Sequence, residues 1–267
     1  MQRAESFDAW TAGQSYDHYM GRWSRMIAGE FLDWLDAPAK VDWLELGCGT
    51  GALTSAILGR CDPGSVLATD ASGDFIAHAQ AAITDPRAGF RTAVAEDLPA
   101  DDESVDVVTS GLVLNFLPDR TAGLLEMQRV LRPGGLLSFY VWDYPGGGIG
   151  FIDAFWKAAA SLDPEAARLD EGSRFPFCTR DSLARLCAEA GITAPELTAI
   201  EIVTEFLDFE AFWHPFTLGA GPAPGYCLSL PEEQRMALKA VLQERLGTDG
   251  PVHLRARAWA VKAKRPD

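Results

Sequence analysis

The sequence predicts a doubly wound α/β fold, in which helices cover both faces of a seven-stranded, mostly parallel sheet whose last strand is antiparallel. Three observations predict it. Short apolar runs alternate with helix-like segments through the middle of the chain, which is the pattern of a parallel sheet. A glycine-rich loop, ELGCGTG, joins the first apolar run to the helix that follows. Near the end, residues 252–261 alternate between apolar and polar side chains, as expected of a strand.

Each strand is predicted from one of these apolar runs. The predicted strands are 41–46, 65–69, 90–94, 105–110, 136–142, 197–207 and 252–261. The helices predicted between and after them are 52–58, 72–83, 120–131 and 180–190. Ser72 can cap the second of these helices, because its hydroxyl accepts a free backbone N–H of the first turn. Gly191 is expected to end the last one.

The N-terminal region, residues 1–36, is predicted to be a helical cap. Apolar side chains recur there every four residues, which places them on one face of a helix. They are Trp23, Ile27, Phe31 and Leu35. We expect this face to pack on the core of the domain.

Two long segments do not fit a minimal sheet and are predicted to be insertions. They cover residues 143–179 and 208–251, and insertions of this length in a compact domain are commonly lids or binding surfaces. Ser229 and Glu232, in the second, match the S-x-x-E capping box of a helix start. The sequence contains no repeat and no low-complexity linker, so we predict a single domain over 1–267.

Aromatic residues are abundant in both insertions, and we expect them to roof a pocket for a flat or apolar molecule. The alternative is that most of them pack the insertions onto the sheet. These aromatic residues are Tyr144, Phe151, Phe155, Trp156, Phe175, Phe177, Phe212, Trp213, Phe216 and Tyr226.

Composition excludes several classes of function. The net charge is −15, a field that repels phosphate backbones, so we expect no nucleic-acid partner. The five cysteines are scattered without a CxxC pair and the four histidines lack ligand spacing, so we expect no metal. No apolar stretch has the length of a membrane span. We therefore expect a cytoplasmic protein without membrane insertion.

The loop ELGCGTG carries the strongest chemical signal. Gly47, Gly49 and Gly51 allow a tight turn and a close approach of the backbone to a ligand. Asp70 lies nineteen positions after Gly51, at the end of the second predicted strand. An acidic residue about twenty positions after such a loop commonly binds the hydroxyls of a ribose. The loop lacks the third glycine of the dinucleotide pattern, because Ala52 stands in its place.

With these motifs the sequence resembles the class I S-adenosylmethionine (SAM)-dependent methyltransferases, in particular the small-molecule branch similar to quinone C-methyltransferases. The resemblance extends over residues 16–191 and includes AEDLP, SVDVVTSGLVLNFLPD, EMQRVLRPGGLLSFYVWD and the N-terminal YDHYMGRWS. It implies a Rossmann-like sheet. It also implies SAM as cofactor, S-adenosylhomocysteine (SAH) as product, and a small, partly apolar methyl acceptor.

The resemblance implies a set of cofactor-binding residues. The glycine loop would line the methionine moiety and sugar, Asp70 would bind both ribose hydroxyls, and Asp97 and Leu98 would hold the adenine. Cys48 is interpreted as a small packing residue and not as a nucleophile. The full set is Tyr16, Arg22, Glu45, Gly47, Cys48, Gly49, Gly51, Asp70, Ala71, Ser72, Glu96, Asp97, Leu98, Ser110 and Gly111.

The catalytic residues are less clearly marked. Many relatives carry His where this chain has Asn115, and an amide can orient an acceptor but cannot take a proton. If the acceptor needs a base, His214, Asp143 and His18 are the candidates. The acceptor, the atom methylated and the oligomeric state are not predicted.

Other functions fit the sequence less well. An NAD(P) oxidoreductase would use the missing third glycine, and we find no Tyr-x-x-x-Lys constellation for hydride transfer. A polyamine synthase would carry acidic residues where Leu112, Val113 and Leu114 stand, and a cysteine-dependent arsenic methyltransferase would cluster its thiols. A non-catalytic SAM or SAH sensor, or a partner subunit, would keep the same loop and stays open as the alternative.

Overall fold

The computed structural model describes residues 17–219 and 221–266, with side chains from Tyr19 onward. The chain divides into two compact units. The first, called the sheet unit here, comprises Ser24–Trp142, Phe177–Ile200 and 258–266. The second, called the aromatic unit, comprises 17–23, Asp143–Pro176 and Glu201–Arg257. The expectation of a single domain over 1–267 stays a prediction.

The predicted fold class is confirmed. The strands are β1 (Asp42–Leu46), β2 (Ser65–Asp70), β3 (Ala88–Thr92), β4 (Val105–Gly111), β5 (Leu131–Trp142), β6 (Glu196–Phe206) and β7 (Val252–Lys264). They form a seven-stranded sheet in the order β3-β2-β1-β4-β5-β7-β6. Strands β1 to β5 pair in parallel, and β7 pairs with β5 in the antiparallel direction. The order reverses between β1 and β4, which is where ligands bind in sheets of this type.

Two strands begin two or more residues before their predicted starts. β3 begins two residues earlier than predicted, because its register with β2 pairs Val66 with Ala88 and Asp70 with Thr92. β5 begins at Leu131, before the Pro-Gly-Gly turn, because Leu131 already pairs with Val105. The register shifts between Val105 and Val107, as at a β-bulge.

Helices fill the connections and the two inserted segments. The α-helices of the described residues are α1 (Arg22–Leu35), α2 (Ala52–Arg60), α3 (Gly73–Ala82), α4 (Arg120–Val130), α5 (Gly150–Leu162), α6 (Glu171–Arg174), α7 (Arg180–Glu189), α8 (Phe209–Trp213), α9 (Pro222–Ser229) and α10 (Glu232–Leu246). A π-helical turn covers Asp17–Gly21, and short 3-10 turns cover Leu114–Phe116, Pro164–Arg168 and His214–Thr217.

One of the two predicted helix starts is correct. The Ser72 hydroxyl accepts a hydrogen bond from the Phe75 N–H at the start of α3. The capping box of Ser229 and Glu232 is wrong. Pro231 is the N-cap of α10 and makes no side-chain cap bond. The Ser229 hydroxyl instead donates to the carbonyl of Tyr226 at the end of α9, so the short helix α9 takes the hydroxyl that the motif assigns to α10.

Most of the aromatic residues of the insertions form the core of the aromatic unit. Phe155 and Phe216 are fully buried and stack with ring centroids 4.5 Å apart. Phe151 packs edge-on against Tyr19 at 5.8 Å. Phe212, Trp213, Trp156 and Tyr226 are also buried. Of the ten aromatic residues predicted to roof a pocket, only Tyr144, Phe175 and Phe177 are half-buried. The packing alternative therefore holds for the majority.

Candidate functional site

The glycine loop lies in the sheet unit between the carboxyl end of β1 and the start of α2. Its three glycines have φ angles of 77°, 53° and 87° at positions 47, 49 and 51, a region that glycine enters without steric cost. The loop is anchored to β2, because the N–H groups of Gly47 and Cys48 both donate to the carbonyl of Thr69, at 2.7 and 2.8 Å. The end of β2 thus sets the position of the loop.

The three glycines are required for different physical reasons. A Cβ at Gly47 would overlap the side chain of Val113, and one at Gly51 would come within 2.6 Å of Ile83 Cδ1. A Cβ at Gly49 would meet no atom within 4 Å. Packing therefore accounts for the outer two glycines, whereas the space at Gly49 is open. This is the arrangement expected where a ligand lies against the loop.

Asp70 joins the loop to the start of α3. Its Oδ2 atom accepts the N–H of Gly49 and its Oδ1 atom accepts the N–H of Ser72, each at 2.9 Å. The carboxylate is half-buried and each oxygen retains a further lone pair. It can therefore accept two hydroxyl groups while it holds the loop in shape.

Glu45 is directed into the protein. Its carboxylate accepts the Thr54 hydroxyl of α2 at 2.5 Å and is buried. Burial raises the pKa of Glu45 to about 7; the Thr54 hydrogen bond lowers it and the charge of Asp70 raises it. Glu45 therefore links β1 to α2 on either side of the loop, and we assign it a positioning role.

Cys48 is buried and packs against Ala68, Ile76 and Ala79. Burial raises the pKa of its thiol far above the ordinary value, and the charges of Glu45 and Asp70 raise it further. A thiol in this state is a poor nucleophile. The geometry agrees with the interpretation of Cys48 as a packing residue.

The loop after β3 combines exposed carboxylates with a backbone N–H that is already bonded. Glu96 and Asp97 are exposed, and Asp97 borders an open cleft together with Arg91, Glu126 and Arg129. Leu98 is expected to hold the adenine, and its N–H donates to Glu126 Oε2 at 3.0 Å. The N–H group is thus used by Glu126 of α4, and the role of Leu98 at the adenine stays a prediction. The buried Leu98 side chain can still contribute apolar cover.

The segment after β4 contains an unsatisfied buried donor. Ser110 donates its hydroxyl to the carbonyl of Leu46 at 2.8 Å, so this side chain links β4 to β1. Asn115 follows in the 3-10 turn and is 4% exposed. Its Nδ2 atom has no hydrogen-bond partner among the described residues. Arg120 fixes the turn by donating to the carbonyls of Leu114 and Asn115.

Of the other sequence-predicted site residues, Ala71 and Gly111 lie in the sheet unit, and Arg22 and His214 lie in the aromatic unit. Arg22 donates to the carbonyl of Glu205 at 3.0 Å, and its guanidinium lies 3.7 Å above the ring of Trp23. Burial lowers its pKa. His214 is exposed at the start of its 3-10 turn. Tyr16 and the side chain of His18 lie outside the described residues.

Asp143 forms a buried ion pair in the aromatic unit. Its Oδ2 atom accepts Arg257 Nε at 2.7 Å and also contacts the Nη2 atom of the same guanidinium. Its Oδ1 atom accepts the Gly146 N–H at 3.1 Å. A carboxylate held by a paired cation and a backbone donor is suited to structure, so the geometry favours a structural role over that of a base.

Sequence reasoning missed Glu171 altogether. This carboxyl is buried in the aromatic unit and accepts the indole N–H of Trp156 at 2.5 Å. No motif marks it, since the two residues lie fifteen positions apart in a segment without regular patterning. A carboxylate within an aromatic-rich insertion was the one available signal.

No group of three or more His, Cys, Asp or Glu side chains in the described ranges is arranged to hold a metal ion. None of the helices that the structure describes is long and apolar enough to cross a membrane.

The central part of the chain is similar to known methyltransferase domains. Residues 44–139 match the family described as a methyltransferase domain. The chain is 36% identical over 140 residues to a biotin biosynthesis bifunctional protein of Bordetella avium, covering 51% of this chain and 29% of that protein. It is 38% identical over 99 residues to a demethylmenaquinone methyltransferase of Lactiplantibacillus plantarum, covering 35% and 42%. The chain thus spans less than half the length of these two relatives.

A solved structure extends the likeness to nearly the whole fold. Phosphoethanolamine N-methyltransferase 2 of Haemonchus contortus, in complex with SAM, matches with a TM-score of 0.58 and 14% identity, covering 95% of this chain and 56% of that one. At this identity the match shows the fold. The likeness is therefore to a methyltransferase domain at residues 44–139 and to the fold of this solved structure. Membership of the whole chain in the class I SAM-dependent methyltransferases stays a prediction. The quinone C-methyltransferase branch stays a prediction.

Proposed function

We propose, from the methyltransferase domain at residues 44–139, that this chain is an enzyme that transfers the methyl group of SAM to a small, partly apolar acceptor. The observation that carries the proposal is the pairing of Gly49 with Asp70. Gly49 has a left-handed backbone conformation with open space beside it. Asp70 has a half-buried carboxylate that accepts the N–H of Gly49.

The residues present fit SAM. The open face at Gly49 admits the sugar and methionine portion, and Asp70 has free lone pairs for both ribose hydroxyls. Exposed Ala71 lies next in the chain, where an adenine can lie without a bulky side chain in the way. When bound, the cofactor supplies a methyl group already activated by its sulfonium. The chain therefore has to bind and orient its ligands, and alignment alone can lower a barrier by roughly 7–11 kcal/mol.

Asn115 is the residue that we propose orients the acceptor in the sheet unit. A buried amide N–H without a partner costs about 1–3 kcal/mol, so a ligand oxygen that accepts this hydrogen bond would be bound selectively. Val113 immediately precedes the turn that carries Asn115, and its side chain packs directly against Gly47 of the loop. Among the catalytic candidates whose side chains the structure describes, Asn115 has the best support, because Asp143 is ion-paired and His214 is exposed.

Isothermal titration calorimetry with SAM and SAH tests the cofactor site. We expect both ligands to bind the wild type and Asp70→Ala to weaken both by at least about tenfold, since hydrogen bonds to a charged group contribute about 1.5–3 kcal/mol each. Asp181→Ala, an exposed carboxylate on α7 of the same unit, is the matched control. Absence of binding to a folded wild type would refute the proposal.

Transfer of a labelled methyl group to a panel of small acceptors then separates an enzyme from a sensor. Binding of SAM without transfer to any acceptor would favour the non-catalytic alternative.

A further inference from the structure

The glycine loop is held by both neighbours of β1 in the sheet, since β1 lies between β2 and β4. On the β2 side, the carbonyl of Thr69 accepts the N–H of Gly47 at 2.7 Å. On the β4 side, the hydroxyl of Ser110 donates to the carbonyl of Leu46, the residue before Gly47. The side chain of Val113, which follows β4, contacts Gly47 directly. The start of the loop is therefore confined from two sides.

Val113 fills the space that a side chain at position 47 would take. A Cβ on Gly47 would overlap Val113 Cγ2 and come within 2.6 Å of Val113 Cγ1. Both methyl groups of the valine thus rest against the backbone of the loop. Close-packed atoms transmit displacement to one another, so Val113 limits how far this part of the loop can shift towards β4.

The segment that carries Val113 is itself fixed. Leu112 has a φ angle of 63°, a left-handed conformation that is costly for a large apolar residue and persists only where the surroundings enforce it. Its N–H donates to the carbonyl of Tyr140 on β5 at 2.8 Å. On the other side of the valine, Arg120 of α4 donates to the carbonyl of Leu114 at 3.0 Å. Val113 is thus anchored through the residue before it and the residue after it, and forms a rigid support for the loop.

We propose that Val113 is a positioning residue for SAM, which acts through Gly47 to hold the loop in its ligand-binding shape. The inference rests on the proposed function, because it presupposes that the loop binds the cofactor. Without this support Gly47 could shift and carry with it the open face at Gly49, where the cofactor is proposed to lie. Val113 is half-buried, so its contribution to core stability is limited and its effect on ligand binding can be measured separately.

Isothermal titration calorimetry of the full chain with SAH tests this role. We expect Val113→Ala to bind SAH about 3- to 30-fold more weakly than the wild type, the range for residues that modulate a site without contacting its ligand. Val41→Ala is the matched control. It truncates another half-buried valine, which precedes β1 at the end of the strand opposite the loop, and should leave the SAH affinity unchanged. Urea unfolding of the two variants should show similar losses of stability.

Two further variants separate positioning from a general packing role. Val113→Thr retains two γ atoms of similar size and should restore the wild-type affinity for SAH. Gly47→Ala places a methyl group where the Val113 methyl groups lie, and Val113→Ala empties that space. Gly47→Ala should therefore weaken SAH by a smaller factor in the Val113→Ala background than in the wild type. If the double variant folds where Gly47→Ala alone does not, the contact is supported in the same way.

Three results would each overturn the inference. They are equal SAH affinity in Val113→Ala and the wild type, an equal loss of affinity in Val41→Ala, and the same factor for Gly47→Ala in both backgrounds. In each of these cases SAH still binds the wild type, so the proposed function stands. A folded wild type that does not bind SAH overturns the proposed function and this inference together.

Discussion

At the scale of single residues, the three glycines of the loop are required for different physical reasons. Gly47 and Gly51 are enclosed by Val113 and Ile83, whereas Gly49 faces open space. All three have positive φ, so any side chain there carries a backbone cost of about 1–2 kcal/mol. Steric overlap adds to this cost at the two enclosed positions alone.

Gly49→Ala and Gly47→Ala should therefore separate stability from ligand binding. We expect Gly49→Ala to lower the free energy of unfolding by about 1–2 kcal/mol and to weaken SAH by more than tenfold, because its methyl group enters the ligand space. Gly47→Ala should cost about 1–3 kcal/mol more in stability through overpacking against Val113. Denaturant unfolding and calorimetry measure the two effects. Equal SAH affinity in Gly49→Ala and wild type would contradict the placement of the ligand.

Asp143 provides a second test at this scale, of structure against catalysis. The side chain of Asp143 is 4% exposed, whereas the side chain of Arg257 is 34% exposed. Asp143→Asn removes the charge that holds Arg257, so we expect a loss of about 1–3 kcal/mol in the free energy of unfolding. Asp153→Asn, whose ion pair with exposed Lys157 lies on the helix surface, should cost less than about 1 kcal/mol. Similar values for the two variants would contradict a structural role for Asp143.

At the scale of elements, helix α4 holds the turn that carries Asn115. Asp119 is its N-cap and accepts the Ala122 N–H at 2.9 Å. In the first turn, Arg120 bonds back to the carbonyls of Leu114 and Asn115 and lies 3.9 Å from the ring of Phe177. The start of α4 is thus both a helix terminus and the support of a proposed ligand-binding residue.

Loss of the α4 cap should therefore be measurable in thermal unfolding. We expect Asp119→Ala to lower the free energy of unfolding by about 1 kcal/mol, the usual contribution of an N-cap. Asp119→Asn keeps a cap oxygen and should lose much less. If the two variants unfold at the same temperature, the side-chain cap contributes nothing.

At the scale of the whole molecule, two buried carboxyls of the described residues have a pKa raised to about 7, Glu45 in the sheet unit and Glu171 in the aromatic unit. In the unfolded chain a Glu has a pKa of about 4.3. Between these values the folded protein binds more protons than the unfolded chain, so stability falls as pH rises. The fall is complete above the folded pKa.

We accordingly expect the free energy of unfolding to decrease between pH 5 and pH 8, by on the order of a few kcal/mol for the two groups together. Glu45→Gln should remove part of this decrease, because the amide has no proton to lose and can still accept the Thr54 hydrogen bond. Urea unfolding at pH 5, 6.5 and 8 measures the slope. If the free energy of unfolding depends on pH in the same way in Glu45→Gln and in the wild type, the Glu45 carboxyl does not titrate in this range.

Patterns that are local in the chain determined much of this protein. Strand and helix positions follow from apolar periodicity. The loop ELGCGTG and Asp70 follow from spacing, since β1 and β2 are adjacent and parallel and bring both to one edge of the sheet. Spacing did not predict the hydrogen-bond partners of Leu98 and Ser229, because Leu98 bonds to a side chain of α4 and Ser229 bonds to a carbonyl of α9. A motif specifies which group can bond, but the competing partners come from elsewhere.

Only the tertiary structure decided the contacts between residues that are far apart in the sequence. Asp143 meets Arg257 across 114 positions, and Leu98 meets Glu126 across 28. The buried amide of Asn115, the open face of Gly49 and the carboxyl of Glu171 also became visible only after folding. Sequence patterns record the period of an element and the chemistry of a turn. Burial and partner choice depend on which distant atoms fill the surrounding space, and for a polar group these decide whether it supports the fold or is left to bind a ligand.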